Sequence, residues 1–514
     1  MSTPAEKRPV DPADRPAWVD AIDNPYLHGI HAPVSDEATA FDLPVEGELP
    51  LELFGAYVRN GPNQVLPPKN LYHWFDGDGM VHAVHFRDGK ASYRSRFVRT
   101  AGLADEAAAG ASIWPGVMGP FDLDAPRHYL KDTANTDLVW HDGHLLALWY
   151  LCGDPYRLDP LTLEDRGVAD FGGRRTGTVS AHPKVDERTG ELVWFRLAEF
   201  EPPYMTYGVV SADGRGVHEV GIDLPGARAV HDVTITERFS ILHDFPFFHD
   251  PALLREKGYR VARFHRDLPS RFGVLPRRGG ADEVRWFEFE PGYVLHMVNA
   301  WEEGDRIVMD GCFQPDPRIR RDPEEGVLAS MLGYLRIRSH LRRWEMDLRT
   351  GETRETQLDD LNVEFPLPDT AKYGVKTRWS YHQHIPAGVY TVEFHALVKY
   401  DHGDGSCVRY DYPEGWHASE SPFAARPGAH DEDDGWVVSF ATEKASFRSE
   451  CWVFRAQEIE RGPVARVKLP ARVPTGFHAK WIPGERAFTE TPAGEDHPDP
   501  AEKRHPLRRW LCIE

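Results

Sequence analysis

The chain has 514 residues, with 60 Lys and Arg against 81 Asp and Glu, a formal net charge of −21. That balance excludes nucleic acid and anionic membrane surfaces as electrostatic partners, and it says nothing against an uncharged substrate. The 44 Gly and 42 Pro are scattered, with no low-complexity linker between Pro50 and Trp481, so the length is compatible with one large closed assembly or with three average domains.

Residues 1–40 are polar and proline-rich and read as an arm on the surface, ordered only in parts. They lack the apolar core of a signal peptide, and no run in the chain reaches membrane-spanning length. Five cysteines (Cys152, Cys312, Cys407, Cys451 and Cys512) lie far apart without a Cys-x-x-Cys, which predicts free thiols in a reducing, cytoplasmic setting. From residue 41 the pattern turns to short strands. Residues 80–86 alternate and meet 92–98 across Asp88-Gly89, a hairpin. Similar turn signals follow at His141-Asp142-Gly143, 186–190, 211–214 and 347–351, flanked by strands at 145–150, 192–197 and 235–242.

The spacing is too irregular for a strict repeat, but a β-propeller with unequal blades fits, because radial packing hides sheet edges without identical units. Residues 101–129 and 314–341 read as helical or loop insertions, the second with a helix candidate at 327–335. The apolar stretch 245–254 reads either as a lip for peripheral membrane contact or as an ordinary buried strand end. The polar tail, 486–514, reads as an extension.

The stretch 59–85 is the most distinctive. Arg59-Asn60-Gly61-Pro62-Asn63, then Tyr72-His73-Trp74-Phe75-Asp76-Gly77-Asp78-Gly79-Met80-Val81-His82, resembles the N-terminal signature of the carotenoid cleavage oxygenases. Later landmarks extend the resemblance to about residue 485. It implies an all-β fold, a seven-bladed β-propeller with a helical or loop cap over the active-site face, in one domain over 41–485. Asp76-Gly77-Asp78-Gly79 also looks like the start of a calcium loop, but the other ligand positions and the closing Glu are missing.

With 25 histidines, no single one stands out, and four that match family landmarks are 49, 65 and 182 residues apart. The resemblance, not the spacing, selects His182, His231, His296 and His478 as ligands of Fe(2+). It further implies that Glu364 and Glu420 hydrogen-bond to ligand histidines, and that Thr136 leans over the open side of the metal. A third such glutamate is missing: Tyr150 takes its place counted from one side and Leu151 from the other, leaving one histidine, His231, to find another partner. His382 and His384, two apart on a strand, are a weaker chelating pair, and His73, His82 and His85 read as structural.

Members of the family cleave a C=C double bond with O2 to give two carbonyl products, most acting on carotenoids or apocarotenoids and a branch on stilbenes and phenylpropenes. The phenolic branch carries a Lys and a Tyr for the phenol oxygen. Here the Lys position is Trp149 or Tyr150 and the Tyr position is Val117, so the tunnel is expected to be apolar and to take a carotenoid or apocarotenoid, with a phenolic alkene second. An inactive propeller scaffold is the third reading. Whether the protein is a monomer or a homodimer is left open by the residues, as is the bond cleaved. No hydrolase elbow, phosphate loop, dinucleotide fingerprint or zinc-peptidase motif is present.

Overall fold

Asp-Gly pairs set the hairpins. Asp88 and Gly89 have φ of 52° and 67°, and Asp142 and Gly143 46° and 77°, the paired positive values of the tight turn whose twist suits two antiparallel strands. The computed structural model describes residues 13–151, 153–386 and 392–489. Each expected turn joins neighbouring strands: Gly79–Arg87 to Lys90–Phe97, Asp137–His141 to His144–Leu148, Lys184–Asp186 to Glu191–Leu197, Met205–Val210 to Val217–Ile222, and His340–Asp347 to Thr353–Gln357.

These strands build seven antiparallel sheets of four to six strands, the blades of a β-propeller. Taken round the ring, the inner strands are Ala479–Pro483, Asp137–His141, Lys184–Asp186, Thr234–Ile235, Tyr293–Glu303, Val363–Leu367 and, in the seventh blade, Trp416–Ala418 with Phe423–Ala425. Neighbouring blades touch through these strands. The ring closes twice. Ala479–Pro483 pairs with Gly55–Pro62 of the first blade, and Val45–Gly47 adds to Pro463–Lys468 at the outer edge of the seventh.

Apolar faces of adjacent blades supply the core. Trp344 on the fifth blade meets Phe272 on the fourth at 5.5 Å between ring centroids, and is 1% exposed. Trp344→Ala is expected to lower unfolding free energy by about 3–5 kcal/mol, the usual loss for a buried aromatic, read from urea denaturation.

The stretch 59–85 knits the hub. Arg59, buried, donates to Ser419 Oγ (2.8 Å), and Asn60 Nδ2 donates to the Ala134 carbonyl (2.8 Å). A Cβ on Gly61 would lie 2.7 Å from Gly476 Cα, so only glycine lets these two segments pass. Asp76 and Asp78 are used structurally: Asp76 accepts from the His73 and Val117 amides, and Asp78 pairs with Lys131. His82 bonds Tyr93 Oη (2.7 Å) and His85 the Pro160 carbonyl (2.9 Å), the structural duties anticipated for them.

The insertions fold as Ala101–Ala109, an α-helix capped by Thr100, and as Pro323–Leu328 and Ala329–Gly333, and the adjoining His128, Tyr129, Tyr334 and Leu335 line the central cavity. The N-terminal arm differs from its surface reading. Val19, Tyr26 and Leu27 are buried in the same cluster as Trp74 and Phe477, and Arg472 donates to the Ala32 and Pro33 carbonyls. Its polar composition hid three apolar side chains that staple the cap. Residues 1–12 of the arm and 490–514 of the extension lie outside the described residues.

Candidate metal centre

The starts of the seven inner strands meet at one end of the channel. His182 lies just ahead of Lys184–Asp186, His231 ahead of Thr234–Ile235, His478 immediately ahead of Ala479–Pro483, and His296 within Tyr293–Glu303. The other three blades bring Asp137, Glu364 and Glu420 to the same end. Local irregularities aim these residues. Pairing of Tyr293–Glu303 with Arg306–Gln314 shifts register between Val294 and Asn299, on either side of His296. His182 and Phe365, beside Glu364, have φ of 60° and 52°, left-handed values that cost a residue other than glycine about 1–3 kcal/mol.

The four imidazoles each offer a donor nitrogen within 4.8 Å of the other three, and His182 Nε2 stands 3.0 Å from His231 Nε2. Among the described residues no other group of three or more His, Cys, Asp and Glu side chains is so placed. Glu364 Oε2 accepts from His296 Nδ1 at 2.5 Å and from the Phe365 amide at 2.8 Å. Glu420 accepts from His478 Nδ1 (3.1 Å) and, through its other oxygen, from the Ala479 amide (2.5 Å). Each carboxylate holds the ring so that Nε2, stripped of its proton, faces the common centre.

Burial, reinforced by the neighbouring imidazoles, holds His182, His231 and His296 well below the usual imidazole range, so they are neutral donors. His296 Nε2 is buried with no hydrogen-bond partner, a group that an ion would satisfy. Two nitrogens bonded side by side to a first-row ion at about 2.1 Å stand roughly 3 Å apart, the spacing of His182 and His231. The donor set fits a divalent first-row cation held by imidazole alone.

His182 has a carboxylate beside it, not hydrogen-bonded to it, that sequence reasoning missed. Asp137 Oδ2 lies 3.4 Å from its Nδ1, and burial is outweighed by Lys480 and the nearby imidazole of His478 to keep Asp137 ionised below its ordinary value. The available signal was weak: a charged residue opening an otherwise apolar strand, directly after Thr136. His231 is the exception. Among the described residues no carboxylate pairs with it, and the ring of Tyr150 sits 6.1 Å away, at the position where the glutamate is missing. Tyr150→Glu is expected to tighten metal retention about 10-fold, the reverse of losing such a partner, read by chelator competition. Unchanged or weaker retention would mean that His231 needs no carboxylate.

A cavity of about 500 Å³ opens from three of the four histidines, His231, His296 and His478, and is walled by Trp74, Phe75, Phe247, Tyr293, Phe365 and Phe477 among others. Thr136 lines it, with its hydroxyl donating to Asn135 Oδ1 and accepting from the Tyr150 amide. Of the expected tunnel residues, Tyr150 lines it, but Val117 and Trp149 face a separate void of about 30 Å³. The wall is not uniformly apolar: Arg260, Glu199 and Tyr129 form a polar pole on loops that no landmark marks. Of residues 245–254, Phe245 and Leu254 are buried and Phe247 lines the cavity, while most of the remainder is partly exposed and runs into the helix Pro251–Lys257. His382 is buried and bonded to Ser380 Oγ (2.7 Å), a structural arrangement. Among the described residues, no helix is long and apolar enough to cross a membrane.

Comparison with known proteins agrees with this architecture. Residues 31–483 match the family model described as retinal pigment epithelial membrane protein. The chain is 35% identical to a carotenoid 9,10(9′,10′)-cleavage dioxygenase of Crocus sativus over 90% of its own length and 89% of the relative's. It is 32% identical to an isoeugenol monooxygenase of Pseudomonas nitroreducens, covering 90% of this chain and 98% of that one. A crystal structure of a lignostilbene dioxygenase from Pseudomonas brassicacearum superposes with a TM-score of 0.80 at 28% identity, covering 90% of this chain and 99% of that one. With the propeller, its capped cavity and the four converging imidazoles already in place, these matches make the chain a member of the carotenoid cleavage oxygenase family.

Proposed function

We propose that the protein is a non-haem Fe(II) dioxygenase that cleaves a C=C double bond of a carotenoid or apocarotenoid with O2, giving two carbonyl products. The observation that carries this reading is the convergence of His182, His231, His296 and His478 on one point, with His231, His296 and His478 lining an aromatic-walled cavity. Bound there, Fe(II) supplies activation of O2 beside the alkene. The chain's own residues do the rest. Glu364 and Glu420 fix two of the imidazoles, Asp137 places a carboxylate beside a third, Phe365 and Phe477 pack a conjugated chain against the centre, and Thr136 narrows the approach. The dry walls exclude water from the reacting bond. Tyr334 and Ile319, both exposed at the cavity mouth, support peripheral contact with the lipid phase where apolar alkenes dissolve.

Metal analysis of protein purified from iron-supplemented cells, followed by turnover under 18O2 with an apocarotenal and a hydroxystilbene, tests this. Bound iron and two labelled carbonyl fragments from the apocarotenal support it. A stilbene or phenylpropene substrate is the second reading, favoured by the polar pole in the cavity and by the likeness to an isoeugenol monooxygenase; cleavage of the hydroxystilbene alone would install it. No iron and no O2 uptake would leave a scaffold.

A further inference from the structure

Three cap segments that are remote in sequence meet in the cavity wall. Tyr129 comes from the loop between the first and second blades, Glu199 follows Glu191–Leu197, and Arg260 lies between the helix Pro251–Lys257 and Ala262–Phe264. Arg260 Nε donates to one oxygen of Glu199 and Tyr129 Oη to the other. The ion-paired side chains are only 14% and 13% exposed, and that exposure is to the cavity they line.

A guanidinium carries five N–H donors, and among the described residues Arg260 uses one, at Nε. Arg260 lines a cavity whose other walls are mostly aromatic and aliphatic. Donors left unmatched in such a setting are costly, so the site is built to receive an acceptor. We propose that Arg260, oriented by Glu199 and Tyr129, binds a neutral oxygen, a carbonyl or hydroxyl, at one end of the alkene substrate. The proposal rests on the oxygenase reading above for the identity of the alkene.

Charge selects the neutral form. Burial opposes ionisation of Glu199, but Arg260 outweighs it and holds the carboxyl at about 2, so the pair is a closed +1/−1 unit. His249 in the same wall is pushed down to about 3, by burial first and then by Arg260, and is neutral. A carboxylate ligand would add an uncompensated negative charge beside Glu199, with Glu201 on the same wall. Tyr129 adds its hydroxyl to the pole, and Tyr150 and Tyr334 line the same cavity. Docked there, one end of the substrate is fixed, and the length from that oxygen to the metal decides which double bond reaches the histidines.

The experiment measures binding, so it does not depend on turnover. Quenching of tryptophan fluorescence, with Trp74 in the wall, reports equilibrium binding to the metal-loaded protein of an apocarotenal, the hydrocarbon of the same chain length and the matching carboxylic acid, and of 4-hydroxystilbene and stilbene. The oxygenated member of at least one pair should bind about 10-fold tighter than its hydrocarbon, the scale of a hydrogen bond to a charged group, and the acid should bind less tightly than the aldehyde. Arg260→Met should abolish that preference, so that the oxygenated and hydrocarbon members of each pair bind alike. Because it strands Glu199, the double variant Glu199→Gln with Arg260→Met is measured beside it, with a melting curve for each. A purely structural ion pair would change the melting temperature and weaken all ligands alike. Equal binding of oxygenated and plain ligands by the wild type, or a preference that survives in a folded double variant, overturns the proposal. Ligands that bind with the expected preference but are not cleaved in O2 would instead refute the oxygenase reading.

Discussion

Alanine at His296 is expected to leave a folded protein that no longer retains metal. Three imidazoles remain, but the lost one is the most tightly oriented, its Nδ1 2.5 Å from a fully buried glutamate. Affinity should drop by more than the roughly 100-fold that marks the loss of an outer hydrogen-bond partner, and O2 uptake should fall to background. Metal content after gel filtration and oxygen-electrode traces read the two effects. The fold tolerates the change because Glu364 need not carry a buried charge: burial pushes its carboxyl up to about 8, so it is protonated at neutral pH. The sign of the pH dependence follows. A carboxyl whose folded value is raised from 4.5 to about 8 stabilises the metal-free fold fully below 4.5, and this contribution is lost as pH rises through 8. Relative to Glu364→Gln, which keeps the opposing contribution of the buried neutral histidines, the urea midpoint of the metal-free protein should therefore decline between pH 5 and 8. A constant difference would mean that Glu364 ionises normally.

Glu364→Gln tests orientation separately from ligation. The amide keeps the volume but cannot ionise, as the carboxyl would beside a bound cation to raise the basicity of His296, and it can present a donor where Nδ1–H needs an acceptor. Metal affinity or activity should drop about 10- to 100-fold. Excess Fe(II) should restore occupancy without restoring the full rate, because the ring is no longer held in one tautomer. Full recovery at saturating iron would confine Glu364 to affinity. Chelator competition and initial rates over an iron titration distinguish the two.

What could be read from the residues follows from how far each interaction reaches. Asp142-Gly143 and Asp88-Gly89 announce their hairpins because the turn is decided by adjacent dihedral angles. The blades follow from such pairs, but their number and their closure do not, since Ala479–Pro483 finds its partner more than four hundred positions away in Gly55–Pro62. The histidines were visible only through likeness to a family, because each is fixed by the start of a different strand and no short spacing joins them. Asp137 escaped notice for the same reason, as did the Arg260–Glu199–Tyr129 group, whose members sit on three unrelated loops. The expectation of an apolar tunnel came from checking two landmark positions, Val117 and either Trp149 or Tyr150; Val117 and Trp149 face a neighbouring void, while Tyr150 lines the cavity. Val19 and Tyr26 were discounted because their prolines and charges suggested a free arm, yet two or three aromatic and aliphatic side chains are enough to anchor a segment against a core.

The order in which the ribosome releases this chain has a consequence for when it can become an enzyme. Three of the four imidazoles emerge by residue 296, but His478 leads the very strand that shuts the circle against Gly55–Pro62. A nascent or prematurely terminated product therefore has neither a sealed ring nor a complete donor set, and the two are achieved in one event. Metal capture is thereby tied to the completion of synthesis, so that unfinished copies hold an ion only weakly.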